Sequence, residues 1–442
     1  MNLHSLLSKH EDAGKCIRVG VIGVGKFATM FLSQILRTPG MRLTCIYDLD
    51  LDRARANLIT AGFDAELFCD APNAEENSVL MTDDFTQLLD WECVDVVVES
   101  TGDPLAGTLH ARYCIMLGIH VVMVNVEADV LVGPALCEEA KERGVVYSLA
   151  YGDQPALIAE MVDMVRAMGF DVVCAGKGTK YLPSYHDSTP ETVWHHYGLT
   201  KEQAAQGGMN SKMFNSFLDG TKSAIEMAAV ANATGLGVPE SGLKFPPCSV
   251  DDLAEVLKPK SEGGVLDGKA VVEVISSLNR DGTQIERDLR WGVYTVFEAP
   301  TDYVRRCFRE YGLSTDSSGK YACLYRPFHL IGLELGVSVA SVALRGEPTG
   351  APKSFVADTV CVAKKDLQPG DILDGEGGET VWGRLTSAKN SVANQSLPIG
   401  LASGLSVRNP IAKGAVVSHE DVELAGAEAV VALRQQMQLG WN

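Results

Sequence analysis

Four groups of residues in this chain combine types and spacings that can do chemistry. The first is Gly23-Val24-Gly25-Lys26-Phe27-Ala28, which follows the apolar run Ile17–Ile22 and opens a helix-like stretch. Gly23 permits a tight turn, Gly25 lets the backbone approach a pyrophosphate, and Ala28 allows close helix–strand packing. The phosphate then rests against N–H groups at the helix N-terminus, so these six residues form the candidate dinucleotide site. Asp48, 23 residues beyond Gly25, ends the next predicted strand. Its carboxylate can accept ribose hydroxyls, which favours NAD. Arg53 and Arg55 can hold a 2′-phosphate, which favours NADP, and the residues leave the choice open.

The second group is Lys177 and Lys180, with His186 close by, after a predicted strand. Lysines spaced by two small residues suit gripping a phosphate or carboxylate, or polarising a carbonyl. The third is Asp219, Lys222 and Glu226, near the start of a helix whose other positions, such as Ile225 and Met227–Ala231, are apolar or small. On an isolated helix Lys222 and Glu226 would be an ordinary i, i+4 ion pair. On a buried helix such charges need partners or a task, so the functional reading is preferred. The fourth is Arg326 with His329: a guanidinium suited to bidentate phosphate binding and an imidazole suited to proton transfer. An arginine and histidine satisfied in a turn would read the same way. His4, His10, His195, His196 and His419 read as structural. No HExxH, Cys/His ligand cluster or GxxxxGK[ST] loop occurs, so no metal ligands are assigned.

These groups need elements to position them. Strand, glycine turn, helix Thr29–Leu36 and strand Arg42–Tyr47 make a βαβ unit, and the alternation continues. Val94–Glu99, His120–Asn125 and Val145–Leu149 read as strands, Leu105–Leu117 and Gly133–Arg143 as helices. Such alternation predicts a doubly wound parallel sheet of Rossmann type. Ligands of such sheets bind beyond the carboxyl ends of the strands. Ser100, Thr101 and Gly102, together with Asn125 and Glu127, are therefore candidates for the nicotinamide side, a reading compatible with helix capping. A central α+β region follows: helices Pro155–Met168, Ser216–Thr234 and Val250–Val256, strands Asp171–Ala175, Ala270–Ser276 and Trp291–Phe297, and a returning helix His329–Ala343. Arg345–Pro352 is a Gly/Pro-rich joint, and beyond it short β-like pieces such as Val360–Val362, Asp371–Leu373, Val381-Trp382 and Ala415–Val417 alternate with glycine turns. The expected domains are 1–155 (NAD(P)-binding), 156–345 (catalytic) and 346–442 (β-rich).

The chain has 442 residues and a formal charge of −19, a balance that disfavours nucleic-acid binding. Eleven scattered cysteines without a CxxC fit reduced, singly packed thiols. With no apparent secretory signal and no apolar run long enough to cross a bilayer, the expectation is a cytoplasmic protein without membrane or nucleic-acid partners.

Val21–Gly25, Val98–Gly102, His120–Asn125 and Lys222–Ala228 resemble the homoserine-dehydrogenase-like oxidoreductases across the first 345 residues. The last stretch is similar to the K-x-x-I-L-A segment that holds that family's catalytic lysine, which implies that role for Lys222. Asp219 stands near, but not at, the spacing of the family's catalytic aspartate. The tail resembles the SAF (antifreeze-like, β-clip) domain, whose signature appears at Ala363–Leu373 and again at Ile411–Val422. Together these resemble the 1-deoxy-D-xylulose 5-phosphate reductoisomerase-like (DRL) proteins of isoprenoid precursor synthesis by the methylerythritol phosphate route. The resemblance implies a homodimeric, NADPH-dependent reductoisomerase of a small phosphorylated sugar. Its ketose phosphate would rearrange to a branched aldehyde and be reduced to 2-C-methyl-D-erythritol 4-phosphate. NADH stays open as cofactor, and so does a divalent metal, Mg²⁺ or Mn²⁺, of the kind reductoisomerases use. On this reading Lys177, Lys180 and Arg326 bind the phosphate and developing oxyanion, while Lys222 with Asp219 or Glu226, and His329 or His186, move protons. Two alternatives share the architecture: an oxidoisomerase or dehydrogenase of a sugar acid such as apionate or of a homoserine-like substrate, and a nucleotide-binding regulatory or structural subunit without turnover.

Overall fold

Val19, Val21, Val96, Val97, Val98, Val121 and Val122 are all fully shielded from solvent. Strands buried on both faces read as continuous apolar runs, and these runs form the middle of a parallel sheet. The computed structural model describes residues 2–70, 78–89 and 94–440. In chain order it begins with α1 (Leu3–Asp12), β1 (Ile17–Ile22), α2 (Lys26–Ile35), β2 (Met41–Tyr47), α3 (Leu51–Ala61), β3 (Phe68–Cys69) and β4 (Val79–Thr82). It continues with α4 (Phe85–Leu89), β5 (Val96–Glu99), α5 (Pro104–Met116), β6 (His120–Met123), α6 (Val126–Glu142), β7 (Tyr147–Leu149) and α7 (Gln154–Ala167). The strand order β3-β4-β2-β1-β5-β6-β7, with every neighbour parallel, is a Rossmann-type doubly wound sheet. The order reverses between β1 and β5, which puts the Gly23–Ala28 turn and Ser100–Gly102 side by side at the switch point.

Next come β8 (Asp171–Thr179), α8 (Val193–Tyr197), α9 (Lys201–Gln206), α10 (Ser211–Asp219), α11 (Thr221–Thr234) and α12 (Leu253–Val256). They are followed by β9 (Val271–Ser276), β10 (Val293–Glu298), α13 (Asp302–Glu310), β11 (Tyr321–Arg326) and α14 (Gly336–Arg345). The tail holds β12 (Ala357–Ala363), β13 (Val381–Ser387), α15 (Ala388–Ala393), β14 (Ser406–Val407), β15 (Val422–Glu423) and α16 (Glu428–Gly440). A second sheet has the order β11-β10-β8-β9, antiparallel except for β8–β9, and β12 pairs β13 antiparallel. The chain forms two compact units, Met1–Leu157 with Leu330–Pro352, and Ile158–His329 with Lys353–Asn442. In the first, α14 returns to the sheet: Val339, Ala340 and Val342 share one apolar core with Val19, Val21 and Phe31.

Several sequence boundaries move for physical reasons. The helix expected from Gly133 begins at Val126, because Asn125 caps it by accepting the Ala128 N–H at 3.1 Å, and Pro134 is carried inside. The single helix expected over Ser216–Thr234 is two helices, broken at Gly220, whose φ of +91° is a left-handed conformation that glycine tolerates. The returning helix starts at Gly336 rather than His329. In the tail Ala415–Val417 makes an isolated bridge through Val416 instead of a strand, and α16 is a helix that the β-like reading did not anticipate. No helix among the described residues is long and apolar enough to cross a membrane.

One buried acid on α6 makes stability pH-dependent. The Tyr147 hydroxyl donates to Asp129 Oδ1 at 2.9 Å, Oδ2 has no partner among the described residues, and burial pushes the carboxyl up to about 7. A folded-state value raised above the unfolded one means the folded protein holds the proton more tightly. That stabilising contribution is complete below about pH 4 and is lost as pH rises through about 7. Denaturant unfolding of the parent and Asp129→Asn at a series of pH values should show the parent losing about 2–3 kcal/mol relative to the variant between about pH 5 and 8. A pH-independent difference would mean that Asp129 is charged throughout.

Candidate functional site

The dinucleotide turn is held by three side chains. Ser100 Oγ donates to the Gly23 carbonyl at 2.7 Å and the Ile22 carbonyl at 3.0 Å. Asp48 Oδ2 accepts the Val24 N–H at 2.6 Å, and Asn57 Nδ2 donates to the Val24 carbonyl at 2.7 Å. Gly23 has φ +82°, and a Cβ there would lie 2.9 Å from Thr101 Cα, so no other residue fits without displacement. Gly25 differs: its φ is −83° and a Cβ would meet nothing within 4 Å. Open space above Gly25, at the N-terminus of a ten-residue helix, is the room that a pyrophosphate needs. Ala28 is fully buried in the packing of α2, while Lys26 is exposed and Phe27 half-buried at the same helix start.

Asp48 departs from its expected role. It is 4% exposed, and Oδ1 accepts the Asp50 N–H and Arg53 Nη2, both at 2.9 Å, so its local task is to hold the turn and position Arg53. Arg55 turns instead toward Asp70, which leaves Arg53 as the guanidinium held by Asp48. Thr101 Oγ1 donates to Glu99 at 2.6 Å, Gly102 turns the chain with φ +75°, and Asn125 Nδ2 donates to the Asp103 carbonyl at 2.8 Å. These are capping and turn-holding contacts around the switch point. Glu127 follows Asn125 in the first turn of α6, where an acidic residue is favoured.

Gly25→Ala offers a test of this turn. The variant should keep the unfolding midpoint of the parent and bind NAD(P)H about 10- to 100-fold more weakly, the effect of 1–3 kcal/mol of steric insertion. Fluorescence titration checks this, and unchanged affinity would place the pyrophosphate elsewhere.

In the second unit, one end of the second sheet gathers the remaining candidates. Lys177 on β8, Val293 on β10 and Arg326 on β11 stand in register across three strands. Two glycines let the following segments close in. A Cβ on Gly178 would lie 1.9 Å from the Leu289 carbonyl oxygen, and one on Gly292 would lie 2.1 Å from that of Arg326. Lys180, Arg290, Arg326 and His329 thereby share one sheet end. Lys180 Nζ donates to the His196 carbonyl and lies 5.4 Å from the centre of the Tyr197 ring; the Arg290 guanidinium lies 5.8 Å from the same ring and 4.6 Å from that of Trp291. Neither cation has a carboxylate ion-pair partner among the described residues. Burial, and then Arg290, hold the Lys180 ammonium below its usual pKa, and burial pushes the Tyr197 hydroxyl up to about 12. Arg326 lies over the Phe328 ring at 5.0 Å. His329 Nδ1 donates to the Trp291 carbonyl at 2.7 Å, which fixes the tautomer and makes Nε2 the basic nitrogen.

The structure redirects three expected roles. Lys177 is not a phosphate ligand at the surface: it is buried on β8 and ion-paired with Glu226 of α11, so each charge neutralises the other. His186 is not a free proton shuttle. Nδ1 donates to the Asp219 carbonyl at 2.6 Å, Nε2 accepts from the Tyr181 hydroxyl at 2.9 Å, and the ring stacks on Trp382 at 3.9 Å. Burial holds its pKa below the usual histidine value, which suits this neutral, fully engaged ring. Asp219 is fully buried and paired with Lys364 at 2.7 Å, so it is a tether rather than an accessible base. Lys222 stands apart: every other residue of α11 is buried, and Lys222, in its first turn, is not.

Sequence reasoning missed Arg290 and Lys364. The tight Leu289-Arg290-Trp291-Gly292 turn signals the first, and Lys364 directly follows the apolar run Val360–Ala363. Among the described residues no three His, Cys, Asp or Glu side chains converge as a metal site.

Two family models match the chain. One, described as the homoserine dehydrogenase NAD-binding domain, covers residues 23–149, and the other, described as the oxidoreductase DRL catalytic domain, covers residues 152–335. Comparison with the curated proteins finds no match. Among solved structures, biliverdin reductase from Synechocystis in complex with biliverdin and NADP⁺ is similar at 18% identity and TM-score 0.27, over 43% of this chain and 54% of that one. This chain therefore matches about half the length of that protein. The yvaA protein of Bacillus subtilis is similar at 12% identity and TM-score 0.38, over 75% of this chain and 90% of that one. The WlbA dehydrogenase from Bordetella pertussis, in complex with NADH and UDP-GlcNAcA, is similar at 17% identity and TM-score 0.28, over 40% of this chain and 49% of that one. Residues 23–149 are thus similar to an NAD-binding domain and residues 152–335 to an oxidoreductase catalytic domain, an order that supports NAD(P)-dependent oxidoreductase chemistry.

Proposed function

We propose that this oxidoreductase is a reductoisomerase of a phosphorylated ketose, converting 1-deoxy-D-xylulose 5-phosphate to 2-C-methyl-D-erythritol 4-phosphate with oxidation of NADPH. The observation that carries the reading is the Lys180–Arg290 pair. Two cations against one tyrosine ring, without a carboxylate ion-pair partner among the described residues, repel each other until an anion sits between them. In a chain of charge −19 such a pair marks a place for a phosphate. The match to the DRL catalytic domain supports oxidoreductase chemistry, within which the reductoisomerase is our reading.

The chemistry divides among this chain's own side chains. Lys180 and Arg290 hold the phosphate and fix the sugar's orientation. His329 Nε2 takes the hydroxyl proton as the carbon skeleton rearranges, one C–C bond breaking as another forms. The Lys222 ammonium donates a proton to the oxygen that gains negative charge. NADPH held at the Gly23–Ala28 turn would supply the hydride for reduction of the aldehyde carbon, and His329 returns its proton to the aldehyde oxygen. Arg53, held by Asp48, is the cation for the 2′-phosphate that distinguishes NADPH from NADH.

The experiment is to incubate the full chain with 1-deoxy-D-xylulose 5-phosphate and NADPH, then NADH, with and without Mg²⁺ or Mn²⁺, following loss of the reduced nicotinamide. Cofactor oxidation with a branched tetritol phosphate as product supports the reading. Silence, with cofactor binding intact by fluorescence, contradicts it and directs the search to sugar acids, whose carboxylate suits the same two cations.

A further inference from the structure

The tail contributes a deeply buried cation to the second unit's polar network. Lys364, immediately after β12, has a side chain only 3% exposed, and all three ammonium protons are used. It donates at 2.7 Å to Asp219 Oδ2, to the Ser188 carbonyl and to the Gly378 carbonyl. The other oxygen of Asp219 accepts the Thr221 N–H at 2.9 Å, which caps the start of α11 across the left-handed Gly220. A second contact falls on the same turn: Thr221 Oγ1 accepts the Gly383 N–H at 2.8 Å. The far end of α11 is held by the tail as well, since Asn232 Oδ1 accepts the Val356 and Ala357 N–H groups at 2.8 and 2.9 Å.

Burying a lysine and an aspartate together is weakly stabilising at best, and an apolar pair of similar size would often do as well. What the ionic pair provides is direction. The ammonium fixes the carboxylate, the carboxylate fixes the first amide of α11, and the next residue is Lys222, the one residue of that helix that is not buried. We propose that Lys364 is a positioning residue for the reaction, setting where Lys222 stands by locking the Asp219–Thr221 joint. The inference rests on the role given to Lys222 under the proposed function.

The test uses the full chain and the doubly neutral variant Asp219→Asn/Lys364→Met, since Lys364→Met alone strands a buried carboxylate and can fail to fold. The double variant should keep the parent's NADPH affinity, lose about 10- to 100-fold in kcat with KM changed little, and exchange the first-turn amides of α11 faster. In a Lys222→Ala background the same double change should lower kcat by less than about twofold, because the group it positions is already gone. Parent-like kcat with parent-like exchange overturns the proposal, as does an equal loss in the Lys222→Ala background. If the parent does not turn over the sugar phosphate, the functional reading fails on its own, and first-turn exchange still decides whether Lys364 orders the joint.

Discussion

Lys222→Ala should fold like the parent and lose about 10²- to 10⁴-fold in kcat, the range for removing a positioned proton donor. The argument is one of location and environment. Thirteen of the fourteen residues of α11 are buried, and the remaining position is the charged Lys222, one turn before Glu226 of the buried Lys177–Glu226 pair. Because the ammonium donates to charge that develops during reaction, the loss should fall on kcat more than on KM. Lys222→Ala with near-normal turnover would move the proton donor elsewhere, with His329 the next group to change.

Arg290→Ala should leave cofactor affinity unchanged and lower kcat/KM for a phosphorylated substrate about 10- to 150-fold, the effect of losing 1.5–3 kcal/mol of charge-assisted hydrogen bonding. Lys180→Ala should lose a similar amount. The two are coupled: Lys180 is held below its usual pKa by burial and by Arg290, so removing the guanidinium lets Lys180 keep its proton to higher pH. The alkaline limb of the kcat/KM profile should therefore move upward in Arg290→Ala. A fall in kcat/KM of the same size for a substrate without an anionic group would show that Arg290 acts through structure and not through charge. Arg290→Lys should restore part of the loss, because a point charge replaces a fork that can bind two oxygens.

What the sequence revealed follows from how local each feature is. The dinucleotide turn was legible because its glycines, its strand and its helix lie within about twenty residues and each has a separate physical reason. The charges at the end of α10 and on α11 were legible as a problem, since Asp219 and Glu226 sit among apolar neighbours. Their partners were not, because Lys177 and Lys364 arrive from β8 and from the tail, 49 and 145 residues away. Arg290 was hidden for the same reason: only the strand pairing of β8, β10 and β11, closed by Gly178 and Gly292, brings it beside Lys180. His186 looked available because its spacing near two lysines is chemically suggestive. Its engagement by Tyr181, Trp382 and the Asp219 carbonyl depends on three segments that no local pattern connects. Gly220 was read through as helix because one glycine in an apolar helical pattern is tolerated, and its left-handed φ is a property of the folded joint.

The most direct test of the central claim compares 1-deoxy-D-xylulose 5-phosphate with 1-deoxy-D-xylulose as substrates for NADPH oxidation by the parent and by Arg290→Ala. The account predicts that the parent turns over the phosphorylated sugar to a branched tetritol phosphate, that the unphosphorylated sugar reacts poorly, and that Arg290→Ala narrows the difference between them by about 10- to 150-fold. Equal use of both sugars by the parent, or no NADPH oxidation with either while the cofactor still binds, would contradict it.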